Sequence, residues 1–194
     1  AAAPPAATST AVGAADRAAL AADGSSDVAA AATPTESSIV AAPAVLTALA
    51  APTAFAATHS IPGNTLAVGD IIEVYASGTI VAQNGVDTQM LELRFGGDAF
   101  LSSPANNSPA GDVFVLRGEI VVRTIGAVGT WVGSGTGYIG TPSVAAGAAE
   151  VPFADFIGST VDDTTGALII DVLCTHSANN AGNQTRLDVL NVRI

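Results

Sequence analysis

The segment "VFVLRGEIVVRTIG" (113–126) alternates apolar and polar residues along most of its length. Successive side chains of a β-strand point to opposite faces, so this pattern gathers the apolar side chains on one side. That apolar side consists of Phe114, Leu116, Ile120 and Val122. The opposite side carries Arg117 and Arg123, which are suited to contact with solvent or with acidic residues of neighbouring strands. The segment therefore predicts a long strand with one face in a hydrophobic core.

The same alternation recurs on both sides of this segment, and turn-forming residues separate the runs. The other runs are "IIEVYAS" (71–77), "MLELRF" (90–95), "ALIIDVLCTH" (167–176) and "RLDVLNVRI" (186–194). The intervening turn compositions are "PGN" (62–64), "GD" (69–70), "QNGVD" (83–87), "FGGD" (95–98), "SPANNSPAGD" (103–112), "GSGTG" (133–137) and "DDTTG" (162–166). No helical periodicity lies between the runs, which argues against parallel βαβ units. The sequence predicts an all-β protein, an antiparallel jelly roll or β-sandwich.

The first 57 residues differ in composition from the rest. They contain 25 alanines, and Gly24 and several prolines divide them into pieces too short to form stable isolated helices. We predict an Ala- and Pro-rich N-terminal arm over 1–57, with short helices or extended segments, and a β-sandwich domain over 58–194. Within the arm, 36–57 is apolar enough to dock, either on its own body or on a neighbouring molecule. The candidate partner-binding residues are Val40, Val45, Leu46, Leu49 and Phe55.

The net charge argues against two classes of partner, and the cysteine content limits disulfide formation. The formal net charge is −11, and all six basic residues are arginines. Binding to nucleic acids or to anionic membranes depends on positive charge, so neither is expected as a partner. The single cysteine, Cys174, excludes an internal disulfide and is expected to be a small buried apolar residue.

The candidate catalytic residues do not form a recognisable site. His59 and His176 are each followed by serine, but adjacent strand residues point to opposite faces and do not form a catalytic triad. Glu73 and Glu92 are expected on outward, solvated faces, and they would resemble a glycosidase acid pair only if paired strands placed them in a cleft. We expect no enzymatic activity, no cofactor and no metal site.

Two further motifs have structural interpretations. "GTGYIG" (135–140) matches a phosphate-binding pattern but is followed by no helix, so its glycines indicate bends or close backbone approaches in a β-segment. Trp131 is expected in the core or at a subunit contact. Asp162 and Asp163 are expected in a solvated turn rather than in a calcium site.

The order of motifs resembles a jelly-roll module found in virion proteins of tailed bacteriophages. The matching stretches are "SIPGNTLAVGDIIEVYASGTI" (60–80), "LELRFGGDAFL" (91–101), "FVLRGEIVVRTIGAVGTWVGSGT" (114–136) and "LDVLNVRI" (187–194). The resemblance covers roughly 55–194 and does not extend to the arm. The family's motif residues are structural, so the resemblance implies no catalytic residue.

This resemblance implies a non-enzymatic structural protein of the virion. The expected role is a capsid decoration or cement protein that binds the major capsid protein on the outer capsid surface, as a homotrimer, and stabilises the shell. The alternative is a tail-fibre or receptor-binding protein, or another tail or head-fibre protein, that uses the same module. A small hydrolase acting on cell-wall polymers is a third and less favoured hypothesis.

Overall fold

The computed structural model describes residues 36–39, 44–140 and 151–194, all within one compact unit, Thr35–Ile194. The regular structure in these residues is entirely β, in twelve strands. The strands are β1 (Glu36–Ile39), β2 (Ala44–Thr47), β3 (Thr53–Ala54), β4 (His59–Ile61), β5 (Ile71–Ala82), β6 (Gln89–Phe95), β7 (Asp98–Ser102), β8 (Val113–Thr124), β9 (Gly129–Gly140), β10 (Val151–Asp162), β11 (Leu168–His176) and β12 (Gln184–Arg193). In this part of the chain no helix is long and apolar enough to cross a bilayer.

The strands form two antiparallel sheets in a sandwich-like arrangement. The seven-stranded sheet has the order β1-β12-β5-β8-β9-β10, and β2 also pairs with β12. The five-stranded sheet has the order β3-β11-β6-β7, and β4 also pairs with β11. The prediction of an all-β, antiparallel sandwich is confirmed.

The core contains the apolar faces that the alternation predicted. On β8 the four residues Phe114, Leu116, Ile120 and Val122 are all buried, and β5, β6 and β11 follow the same rule. Trp131 is also buried, and its ring meets Phe95 edge-on at a centroid distance of 5.3 Å. Its indole N–H donates to Asp162 Oδ2 at 2.7 Å, so the buried ring keeps a polar partner. Burial raises the pKa of Asp162, while this hydrogen bond acts in the opposite direction.

The four short strands before β5 provide an edge for each sheet. β1 pairs with the C-terminal part of β12 and β2 with its N-terminal part. β3 and β4 lie in the same way along β11. The described residues of the segment 36–57, namely 36–39 and 44–57, thus dock on the protein's own body, which was one of the two expected outcomes, and their strands cover backbone edges that would otherwise be open to pairing.

Most of the predicted turns are confirmed, and one is wrong. Gly96 and Gly97 both have positive φ between β6 and β7, where a side chain on Gly96 would also meet the Asp162 carboxylate. By contrast, "GSGTG" (133–137) lies in the middle of β9 instead of forming a turn. Its glycine-rich composition is typical of a turn, but Gly133 and Gly135 face side chains of the second sheet that leave no room for a Cβ atom.

Candidate functional site

The residues predicted to bind a partner are largely engaged with the protein itself. Phe55 is only 1% exposed and lies in the core, and Leu46 is half-buried against it. The backbone N–H of Leu49 donates to His176 Nδ1 at 3.4 Å, and Leu49 accepts from the His176 N–H at 2.7 Å. Val45 remains 44% exposed on β2, whereas Val40 lies outside the described residues. Of the four that the structure describes, Val45 is thus the one that offers the most surface to another molecule.

A buried polar network, centred on Asn183, joins the start of β12 to the β5–β6 turn. The Asn183 amide donates to Asp87 Oδ2 at 2.9 Å and accepts from the Asn84 backbone N–H at 2.9 Å. The hydrogen bond from the Asn183 side chain, and next that from the Asn84 side chain, lower the pKa of Asp87. The Asn183 carbonyl also accepts from the Ala48 N–H at 3.1 Å. This network fastens the N-terminal segment and two loops to one another, which is a structural role.

The histidine and cysteine of β11 belong to the same buried region. Cys174 Sγ lies 3.5 Å from His176 Nε2, which is a possible nucleophile–base contact. Burial, however, raises the pKa of Cys174 to about 11, so the thiol stays protonated at neutral pH. His176 Nε2 also lies 3.1 Å from Thr185 Oγ1, and Thr185 donates to Gln89 Oε1 at 2.9 Å. The pair is part of the core, as the sequence predicted for Cys174.

The proposed pairing of Glu73 with Glu92 is wrong, because the two residues lie in different sheets. Glu92 is on β6, where it forms an ion pair with Arg94 of the same strand at 2.9 Å. Glu73 is on β5, directly opposite Glu119 of β8 in the antiparallel register. Side chains opposite each other on one face have Cβ atoms about 5 Å apart. Two carboxylates therefore face the same space on the outside of the seven-stranded sheet.

These two glutamates lie in a groove with a volume of about 560 Å³. The groove crosses β12, β5, β8 and β9 on the outer face of the sheet. Its outward side chains form two rows in register: Asn191, Tyr75, Arg117 and Thr136 in one, and Arg193, Glu73, Glu119 and Ser134 in the other. Charged and polar groups thus dominate a concave surface that the strand pairing holds in place. We call this surface the outer groove.

The charged groups of the outer groove are partly paired. The Arg117 guanidinium lies over the Tyr75 ring, 5.8 Å from its centroid. Arg193 approaches Glu73 at 3.8 Å, but the Glu73 side chain is still 58% exposed. Such an exposed pair adds little to stability, so it does not explain why two carboxylates face each other here.

Glycines on the core side lie directly beneath the outer groove. Gly118 and Gly135 are partners in the register of β8 and β9. A Cβ atom on Gly118 would lie 2.3 Å from Phe100 Cε2, and one on Gly135 would lie 2.9 Å from Leu101 Cβ. The missing side chains let the sheet lie close to the second sheet, and the outer surface is hollow at the same place. The close backbone approach expected of the β9 glycines is confirmed.

In the sequence, most residues of the outer groove are recognisable only as members of the polar faces of strands. The alternation places Glu73 and Tyr75 outward, and Arg117 and Glu119 likewise, but alternation contains no information about which strands are neighbours. The run of glycines in β9 could have indicated the site, because glycines inside a strand mark places where another chain segment or a ligand comes close to the backbone. Among the described residues, no group of three His, Cys, Asp or Glu side chains is placed to hold a metal ion.

Comparison with known proteins gives no family for this chain. No family model matches the sequence, and no curated protein matches it. Among solved structures, the legume lectin-like domain from Entamoeba histolytica is similar over 82% of this chain and 88% of that chain. The two are 9% identical, with a TM-score of 0.30. A likeness at this level supports no argument about fold or function.

Proposed function

We propose that this protein is a capsid decoration or cement protein of a tailed bacteriophage. It would bind the major capsid protein on the outer capsid surface, as a homotrimer, and stabilise the shell without enzymatic activity. The order of motifs in 60–194 supports the assignment to virion proteins. The structural observation that carries the proposal is a cluster of exposed apolar side chains at one end of the sandwich, which is a surface suited to contact with other protein subunits.

This apolar end is formed by the turns before β5, between β8 and β9, and after β10. Its members are each at least half exposed: Val68, Ile71, Ile125, Val128 and Val161. The strand register brings them together, because Ile71 pairs with Val121 at the end of β8 and Val161 pairs with Thr130 at the start of β9. The turn before β5 is attached there by the Gly69 N–H, which donates to the Val122 carbonyl at 2.9 Å.

The acidic character of the chain agrees with this location. A net charge of −11 is compatible with the outer surface of a capsid and unfavourable for contact with packaged DNA. We infer no nucleic-acid partner, no membrane partner and no cofactor. We also take the sandwich to be a jelly roll, because the chain passes from one sheet to the other after β2, β4, β5, β7, β10 and β11.

The N-terminal segment has a divided role in this proposal. Its residues 44–57 are used by the body's own sheets and core, so they are less available to a capsid than the composition suggested. We assign the main contact to the apolar end and an additional contact to 1–35. Several attachment points per trimer would act together, since each bound one raises the effective concentration of the next.

The proposal is tested with capsid shells that lack this protein. The intact protein should bind such shells and raise the temperature at which they break. Val128→Ser should weaken both effects, and Val86→Ser is the matched control, because Val86 is 84% exposed in the β5–β6 turn outside the apolar end. Equal binding by both variants would show that the apolar end is not the main contact with the capsid. Failure of the intact protein to bind shells would remove the cement function.

A tail-fibre or receptor-binding protein is the second candidate. The observation that favours it is the outer groove, a concave polar surface with space for a ligand. The number of copies in purified virions separates the two candidates. A decoration protein should be present in proportion to the major capsid protein, whereas a fibre protein should match the few copies of a tail component.

The non-enzymatic part of the proposal has its own test. Glu73 and Glu119 share the outer groove at directly opposite positions, and glycosidases use a pair of neighbouring carboxylates. We expect no hydrolysis. The general acid of such enzymes lies in a desolvated pocket, whereas the Glu73 side chain is 58% exposed. Incubation with oligosaccharides, followed by chromatography, should show no shorter products. Hydrolysis that is lost in Glu119→Gln would make the groove an active site.

A further inference from the structure

We propose that the outer groove is a binding site for a neutral oligosaccharide. The inference goes beyond the proposed cement function and does not require it, because it concerns a different surface from the apolar end. Five properties of the outer groove support it: size, charge balance, hydrogen-bonding capacity, an aromatic side chain and an unexplained repulsion between two of its side chains.

The dimensions suit a short polymer. The volume of about 560 Å³ lies within the range of small-molecule sites, roughly 300–1,000 Å³. The rows span four strands, and three spacings of about 4.8 Å give a width of roughly 14 Å. An open groove of this extent accommodates several linked rings and leaves both ends of the ligand in solvent.

The charges of the lining cancel. Two arginines, Arg117 and Arg193, stand beside two glutamates, Glu73 and Glu119. Recognition of phosphate or of another polyanion needs an excess of positive charge, which this lining lacks. An entirely apolar ligand would leave the four charged groups desolvated and without hydrogen bonds, which is unfavourable. A neutral polar ligand remains.

The hydrogen-bonding groups match hydroxyl groups. A sugar hydroxyl both donates and accepts, so a site for it needs donors and acceptors side by side. The outer groove has guanidinium donors on Arg117 and Arg193 and carboxylate acceptors on Glu73 and Glu119, at neighbouring register positions. Asn191, Ser134 and Thr136 at the margins both donate and accept.

An aromatic side chain completes the set. Tyr75 projects from the middle of the outer groove, and Arg117 lies 5.8 Å from its ring centroid. The C–H faces of sugar rings are apolar and pack on aromatic rings, while the phenolic hydroxyl supplies one more polar contact. The contact with Arg117 helps to hold the ring in one orientation, which reduces the entropy lost on binding.

The facing glutamates have no structural explanation. Like charges directly opposite on paired strands are destabilising, and Glu73 and Glu119 occupy such positions. Positions that break a local rule without any gain for the fold are commonly functional. Ligand hydroxyls that donate to both carboxylates would turn the repulsion into a binding contribution.

The test is calorimetric titration of the full chain with defined hexasaccharides. Maltohexaose, cellohexaose and xylohexaose are the neutral probes, and hexagalacturonate and chitosan hexamer are the charged ones. At least one neutral probe should bind saturably and more tightly than either charged probe. Arg117→Gln should weaken binding about tenfold, or about 1.4 kcal/mol, because it removes a charged hydrogen-bond donor from the site.

Arg123→Gln is the matched control for this titration. Arg123 lies on the same strand as Arg117, and its side chain is exposed outside the outer groove, so its variant should bind like the unmodified protein. Glu119→Gln should also bind the neutral hexasaccharide less tightly than the unmodified protein does. The proposal is overturned if no neutral probe binds, if a charged probe binds best, or if both arginine variants lose affinity equally. Arg117→Gln should still bind capsid shells, which keeps this result separate from the cement proposal.

Discussion

The buried network around Asn183 and the outer groove around Glu119 are built from similar side chains in opposite environments. In the network, the Asp87 carboxylate accepts hydrogen bonds from Asn84 and Asn183. In the outer groove, the Glu73 carboxylate faces a second carboxylate across the sheet and an exposed arginine. An unpaired polar group is costly when it is buried, whereas an exposed one can form hydrogen bonds with water. Polar side chains at the first site thus maintain the fold, and those at the second are available for a ligand.

The largest effect is expected from Asn183→Ala. Asn183 is fully buried, and its loss leaves the Asn84 N–H without its acceptor and removes one of the hydrogen bonds that Asp87 accepts. We expect the free energy of unfolding to fall by about 3 kcal/mol, measured by urea denaturation. Asn191→Ala, the same change in the outer groove, should stay within about 0.5 kcal/mol. Similar losses of stability in both variants would mean that the outer groove supports the fold as much as the buried network does.

Acidification should weaken the buried cluster through His176. Desolvation lowers the pKa of this imidazole below its ordinary value of 6.5, and the negative charge of Asp87 opposes the shift only in part. As the pH falls below 6.5, the unfolded chain therefore takes up the proton before the folded chain does. Stability should be complete above pH 6.5 and should decline below it, as seen in denaturation midpoints from pH 8 to pH 5.

The second histidine provides the control for this experiment. Burial also lowers the pKa of His59, so it could contribute a decline of the same sign. The variant His59→Asn should retain most of the decline if His176 is responsible. A flat pH profile in that variant would assign the effect to His59 and leave the buried cluster without a pH response.

A smaller effect is expected from Cys174→Ala. The thiol is fully buried beside His176 and faces the core, so its removal should cost about 1 kcal/mol through lost packing. Sedimentation should show the same oligomeric state as the unmodified protein. Dissociation of the oligomer with an intact fold would instead place Cys174 at a subunit contact.

The smallest effect, with opposite sign, is expected from Glu119→Gln. Removing one of two facing carboxylates should raise the free energy of unfolding by about 0.2–1 kcal/mol. The same variant should bind the neutral hexasaccharide less tightly, so that stability and binding change in opposite directions. Glu92→Gln is the control in the other sheet, where the removed carboxylate is paired with Arg94, and it should not gain stability. A loss of stability in Glu119→Gln would show that this residue supports the fold.

Much of the fold was predictable from the chain, but little of the site was. The buried faces of β5, β6, β8 and β11 followed from alternation, because one face of a strand in a sandwich must leave water. The glycine-rich segment 133–137 was wrongly predicted to be a turn, because its composition is typical of turns, although it lies inside β9. Whether a glycine serves a turn or a close contact depends on the residue opposite, here Phe100 or Leu101, which is distant in sequence.

The sequence by itself determined the all-β class, the main core faces, the turns with special backbone requirements and the burial of Cys174 and Trp131. These properties are local, since periodicity and backbone sterics act over a few residues. Only the tertiary structure decided that Glu73 faces Glu119 rather than Glu92, and that 36–57 pairs with β11 and β12 of its own body. Strand order arises from the packing of the whole core, so residues close in space are brought together by contacts that no local pattern encodes.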